Sequence, residues 1–86
     1  MPVKVTVIIP VFNNAPYLKR CLDSVTRQTL REIEIICVND ASSDASPDIL
    51  REYAANDERI RLIDFSENQG VSRARNAALA AARFLI

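Results

Sequence analysis

Three apolar runs alternate with three amphipathic ones along this chain. In the first, VKVTVIIPVFNN, Val5, Val7, Ile8, Ile9 and Val11 leave too few polar interruptions for a strand with one wet face, which predicts a strand covered on both sides and central in a parallel sheet. Pro10 has no N–H for a ladder, so pairing is expected to stop there. Asn14 then caps a helix with Pro16 in its first turn, and Leu18, Cys21, Leu22 and Val25 form one apolar stripe that ends by Gln28. After a polar link over Thr29 to Glu32, Ile33, Ile35, Ile36, Cys37 and Val38 predict a second buried strand, closed by Asn39-Asp40 and the turn-forming ASSDAS. Ser46, Pro47 and Asp48 supply a capping hydroxyl, a first-turn proline and an early negative charge for a second helix, buried along Ile49, Leu50, Tyr53 and Ala54. RIRLIDF alternates, with Ile60, Leu62 and Asp64 on one face and Arg61, Ile63 and Phe65 on the other, as a strand nearer the sheet edge does. Gly70 closes the loop SENQG, where a positive φ or a close backbone approach is expected. A third helix from about Val71 packs through Ala74, Ala77, Ala78, Ala81 and Ala82, and Phe84-Leu85-Ile86 is apolar enough to open a fourth strand.

Three strand–helix units at short spacing predict an α/β fold: a three-layer, Rossmann-like βαβαβα half-sheet, all parallel, in one domain over residues 1–86. The open side of the first strand predicts self-association into a homo-oligomer, and so small a unit gains most from such a partner. Composition narrows the function further. Lys and Arg balance Asp and Glu at 11 each, so no basic field draws the chain to nucleic acid, and no nucleic-acid partner is expected. Cys21 and Cys37 lie inside apolar patterns and there is no histidine, which removes a zinc set and a Cys/His pair and leaves two reduced core thiols in a cytosolic protein. No charged leader and no apolar run near the roughly 20 residues of a spanning helix are visible. A cytoplasmic location follows, with membrane association reserved for a full-length form.

In open parallel sheets ligands collect outside the carboxyl ends of the strands. Three polar clusters follow strands in this chain: Phe12-Asn13-Asn14, Asn39-Asp40 with Ser42 and Asp44, and Ser66 to Gly70 leading into Arg73 and Arg75. Facing one crevice, they suit a nucleotide, with Asp40 accepting from a base or ribose and an arginine near the phosphates. Each cluster alone fits a plainer role: turn and cap chemistry for the Ser/Asp loop, solvated helix charge for Arg73 and Arg75, core packing for Phe12. Asp40 and Asp44 suit a ligand-binding loop as well as acid/base work. A single glycine excludes the dinucleotide fingerprint and the P-loop, and the lack of histidine excludes a Ser/His triad.

Taken together, V-T-V-I-I-P-V-F-N-N at 5–14, S-V-T-R-Q-T at 24–29, V-N-D-A-S-S-D at 38–44 and N-Q-G-V-S-R-A-R-N at 68–76 resemble the amino-terminal half of the family 2 glycosyltransferases. The resemblance implies an incomplete GT-A nucleotide-binding unit whose partner is a nucleotide-diphosphate sugar, often a UDP sugar, with the sugar passed to an acceptor with inversion. It places Pro10, Val11, Phe12, Asn13 and Asp40 around the nucleoside, with Ser42 in the same loop cluster, and Arg75 near the diphosphate, with Arg73 a second candidate. In such enzymes a fourth strand, an Asp-x-Asp motif holding Mg or Mn and an acidic general base follow. Those motifs are not among these residues, and A-A-R-F-L-I lacks the glycine that commonly precedes the fourth strand. The expectation is therefore a truncated donor-binding portion with no catalytic residue and no cofactor of its own, inactive alone, the metal belonging to the complete enzyme. The alternative is a non-catalytic fragment that serves as a folding or self-association unit.

Overall fold

A computed structural model of the protein describes residues 5–27 and 32–83. The chain runs β1 (Val5–Val11), α1 (Ala15–Thr26), β2 (Ile33–Asn39), α2 (Ser46–Asn56), β3 (Ile60–Asp64) and α3 (Val71–Ala81). The strands form one parallel sheet in the order β1-β2-β3. The expected α/β half-sheet is present, and the segment Phe84 to Ile86, read as a possible fourth strand, lies outside the described residues.

Side-chain alternation along the strands divides the core in two. Ile33, Ile35 and Cys37 of β2 and Ile60 of β3 pack with Leu18 and Leu22 of α1 and with Ile49 and Leu50 of α2. On the other face Ile36 and Val38 pack under Ala74 and Ala78 of α3, flanked by Ile8, Ile63 and Phe65. The small alanines let α3 approach the sheet closely, and the expected faces of RIRLIDF are the observed ones. Cys37 is buried in the first of these layers, and that burial pushes its thiol up to about 12, further helped by Cys21 nearby.

Four local expectations are corrected. Among the described residues the central strand is β2, buried at all seven positions, whereas β1 pairs on one side only and is half-buried along most of its length. Apolar content misled here because β1 carries a nearly continuous apolar run without a described strand on its outer side. Pairing also runs through Pro10, opposite Val38, as far as Val11. Val5 N–H donates to the Glu32 carbonyl and the Val11 carbonyl accepts from Asp40 N–H, so odd-numbered residues face β2 and Pro10 turns its missing N–H to the open edge. Cys21 is exposed on α1, because the stripe that buries Leu18 and Leu22 turns it away from the core. Finally, Asn14 and Ser46 do not cap their own helices by side chain. That work falls to Asp44, as described next.

Candidate functional site

At the carboxyl end of the sheet three loops are stitched together by short polar side chains. Asn13, with φ 51°, donates its N–H to Ser42 Oγ at 3.0 Å, and its Oδ1 accepts from the N–H groups of Ser43 at 2.8 Å and Asp44 at 3.3 Å. Asn and Asp tolerate the left-handed region better than other side chains, which explains an asparagine at this bend. Asp44 accepts from Ala15 N–H at 3.0 Å and from Ser46 N–H at 2.9 Å, so one carboxylate caps the starts of both α1 and α2. Its pKa is held below the ordinary value chiefly by the hydrogen bond from the Ser46 side chain, with the backbone bonds adding to it. Ser46 is the first residue of α2, buried, with its Oγ accepting from Asn14 N–H at 3.2 Å.

Asp40 is held differently from its neighbours. Only 4% exposed, it accepts from Gln69 N–H at 2.7 Å through one oxygen and from Gly70 N–H at 2.8 Å through the other. These amides lead into α3, and Gly70 adopts φ 90°, as anticipated for the chain's one glycine. The carboxylate thus clamps the start of α3 against the end of β2. Because an ionised carboxylate offers about four lone-pair directions, two remain for a further donor.

Between these loops lies a groove of about 180 Å³ lined by Pro10, Val11, Phe12, Asn14, Asp40, Val71 and Ala74. Of the residues expected at a site, Pro10, Val11, Phe12 and Asp40 meet there. Phe12 is 50% exposed at its rim, so the core-packing role does not apply to it. Asn13 and Ser42 sit behind the rim, occupied with each other. Arg73 and Arg75 are exposed on α3 and do not line the groove; Arg75 follows Val71 by four residues and so sits on the same flank, whereas the two-residue spacing of Arg73 places it on another face of the helix. Sequence reasoning missed Val71 and Ala74, whose apolar or small character signals only packing, and passed over Asn14, which lay inside a noted polar cluster.

The described carboxylates do not fit a metal. Asp40 and Asp44 are engaged by backbone amides, Asp64 accepts from Asn39 Nδ2 at 3.0 Å, and among the described residues no three His, Cys, Asp or Glu side chains converge as a metal set requires. Among the same residues no helix is long and apolar enough to cross a membrane.

Residues 6–83 match the family described as Glycosyl transferase family 2. Glycosyltransferase GlyA of Streptococcus pneumoniae serotype 4 is 51% identical over 76 residues, which cover 88% of this chain and 11% of that protein. The structure of S. aureus TarS 1–349 in complex with UDP-GlcNAc superposes with a TM-score of 0.88 at 28% identity, over 95% of this chain and 24% of that one. A mannosyltransferase from Pyrobaculum calidifontis, solved with GDP-Man and Mn2+, gives a TM-score of 0.85 at 31% identity over 95% of this chain and 25% of that one. The chain thus spans 11% of the curated relative and about a quarter of each solved chain.

Proposed function

Because the chain belongs to glycosyl transferase family 2, we propose that it is the nucleotide-sugar-binding portion of an inverting glycosyltransferase, with a UDP sugar as donor. The observation that carries this reading is the groove of about 180 Å³ at the carboxyl end of the sheet, where Phe12 offers a stacking face and Asp40 a buried acceptor. The bound ligand named for the TarS structure, UDP-GlcNAc, supports the choice of donor. Pro10, Val11, Phe12 and Asp40 meet the nucleoside, Asn13 and Ser42 hold the loop around it, and Arg75 approaches the diphosphate, with Arg73 as the weaker candidate. Residues 1–86 act as one donor-binding domain and do not transfer the sugar by themselves, since Asp40, the carboxylate that lines the groove, holds Gln69 and Gly70 and keeps its remaining acceptor capacity for the nucleoside. A divalent metal, Mg or Mn, belongs to the complete enzyme, and a cytoplasmic setting agrees with two free thiols.

Calorimetry with UDP tests this reading. Binding is expected in the range below about 1 mM, and Phe12→Ala, which removes a half-exposed ring without opening the core, should weaken it by about tenfold. No heat at millimolar UDP would refute it. A second reading, association of two copies, is favoured by the outer edge of β1, where the backbone groups of Thr6 and Ile8 face away from β2. A strictly monomeric sedimentation profile across concentrations would count against it.

A further inference from the structure

We propose that Asn39, the last residue of β2, is a positioning residue for the donor groove, acting through Asp40 and Ser42. The inference rests on the donor-binding reading above and extends it to a residue outside the groove lining.

Asn39 is 6% exposed and uses three of its polar groups on two other segments, the loop after β2 and the end of β3. Its Oδ1 accepts from Ser42 N–H at 3.0 Å, its Nδ2 donates to Asp64 Oδ1 at 3.0 Å, and its carbonyl accepts from Phe65 N–H at 2.9 Å. The loop over 66–70 is therefore gripped at both ends by adjacent residues, Asn39 at the end of β2 and Asp40 just after it. Asn39 holds its start at Asp64 and Phe65, and Asp40 holds its end at Gln69 and Gly70. Through Ser42, whose Oγ accepts from Asn13 N–H at 3.0 Å, the same side chain fixes the loop behind the Pro10 to Phe12 rim. An amide suits this node because it is an acceptor toward Ser42 and a donor toward Asp64 at once. A carboxylate at position 39 would keep the first bond and lose the second, and it would set two negative charges about 3 Å apart.

That asymmetry supplies the test. Asn39→Asp should weaken UDP binding by about tenfold in protein that remains folded, and should speed hydrogen exchange at the Gln69 and Gly70 amides by a similar factor. Asp64→Asn alone should stay within about twofold of the parent, because Asn39 Nδ2 still finds an acceptor. The exchanged pair, Asn39→Asp with Asp64→Asn, recreates a donor–acceptor couple with reversed roles and should recover both readouts to within about twofold. The proposal is overturned if Asn39→Asp lowers the melting temperature yet leaves UDP affinity and Gln69/Gly70 protection unchanged, or if the exchanged pair fails to restore them. Absence of UDP binding by the parent chain would remove the donor reading instead, and the exchange rates at Gln69 and Gly70 would then decide the role of Asn39 by themselves.

Discussion

The two ends of this sheet are both polar, yet they are built from opposite charges. At the carboxyl end, where helices begin, carboxylates accept from backbone amides: Asp44 serves α1 and α2, and Asp40 serves the entry to α3. At the amino end, where helices finish, arginines donate to the last carbonyls: Arg59 to Thr26 of α1 at 2.9 Å and Arg61 to Ala81 of α3 at 2.8 Å. Each pattern matches the sign of the helix dipole at that end. The difference lies in what balances the charge. Arg59 is paired with Asp57 at 2.7 Å, whose hydrogen bonds raise its pKa, and Arg61 is paired with the buried Glu34 at 2.7 Å. Asp40 and Asp44 have no arginine on them among the described residues, and Asp40 lines a groove. One end is closed by ion pairs; the other keeps neutral donors around an acceptor that a ligand can still use.

The sharpest way to separate the two ends is to break the closed one. Glu34 ties the starts of all three strands to the end of α3, accepting from Thr6 Oγ1 at 3.2 Å, Arg61 Nη1 at 2.7 Å and Arg83 N–H at 2.8 Å. Glu34→Ala should lower unfolding stability by about 3 kcal/mol, since it removes the buried acceptor shared by Thr6 Oγ1, the Arg61 guanidinium and Arg83 N–H, at about 1 kcal/mol each. UDP affinity measured well below the melting temperature should be unchanged, and a parallel loss would erase the distinction between the ends. The same residue sets an acid limit. Burial pushes its carboxyl up, but the bonds from Arg83, Arg61 and Thr6 and the charge of Arg61 outweigh that and hold it below its ordinary 4.5. A carboxyl lowered on folding contributes stability that is present above about pH 4.5 and is lost as pH falls through the folded value. Melting temperature should therefore drop on acidification below that point, and Glu34→Gln should flatten the drop.

A smaller effect tests the backbone of the site end. Gly70 at φ 90° and ψ 161° has open space where a Cβ would stand, so Gly70→Ala meets no clash and suffers only the strain of a region essentially reserved for glycine, about 2 kcal/mol. Ala41 occupies the same half of conformational space at φ 59° and does have a Cβ. Ala41→Gly should therefore return up to about 1 kcal/mol, less the added freedom of the unfolded chain. Equilibrium denaturation of both variants checks the pair. Shifts of opposite sign, the larger at Gly70, with UDP affinity nearly constant, would confine the strain to stability and leave the amide clamp of Asp40 as the feature that matters for binding.

Much of this arrangement was legible in the residues. The β-branched runs, the two first-turn prolines and the alanine spacing of α3 carry the element order, and the polar clusters after each strand lie together at the carboxyl end of the sheet. What periodicity does not carry is the identity of a neighbour. The apolar run of β1 reads the same whether one strand or two pair with it. Asn14 and Ser46 have the chemistry of caps, yet Asp44 stands where both helix starts can reach it, and a carboxylate accepts from several amides at once. Likewise Asp40 looked like a ligand contact from its type and place. Its clamp on Gln69 and Gly70 depends on a loop 29 and 30 residues away folding back, which local patterning does not encode.

The smallest expected effect concerns the charge that the site end lacks. Neither Arg73 nor Arg75 forms an ion pair among the described residues, in contrast to Arg59 and Arg61 at the far end. With the nucleoside on Asp40, a diphosphate would lie within reach of that negative charge, and a cation would offset it. On the proposed reading Arg75, one turn beyond Val71 on the groove flank, supplies it and Arg73 does not. An exposed, flexible guanidinium gains little from each contact, of the order of 0.7 kcal/mol. Arg75→Ala should therefore weaken UDP binding by about threefold, leave uridine binding untouched, and leave stability within error. Arg73→Ala should change neither ligand. Equal losses for UDP and uridine would mean that Arg75 acts on the shape of the groove, and the charge contrast between the two ends would then have no part in choosing the ligand.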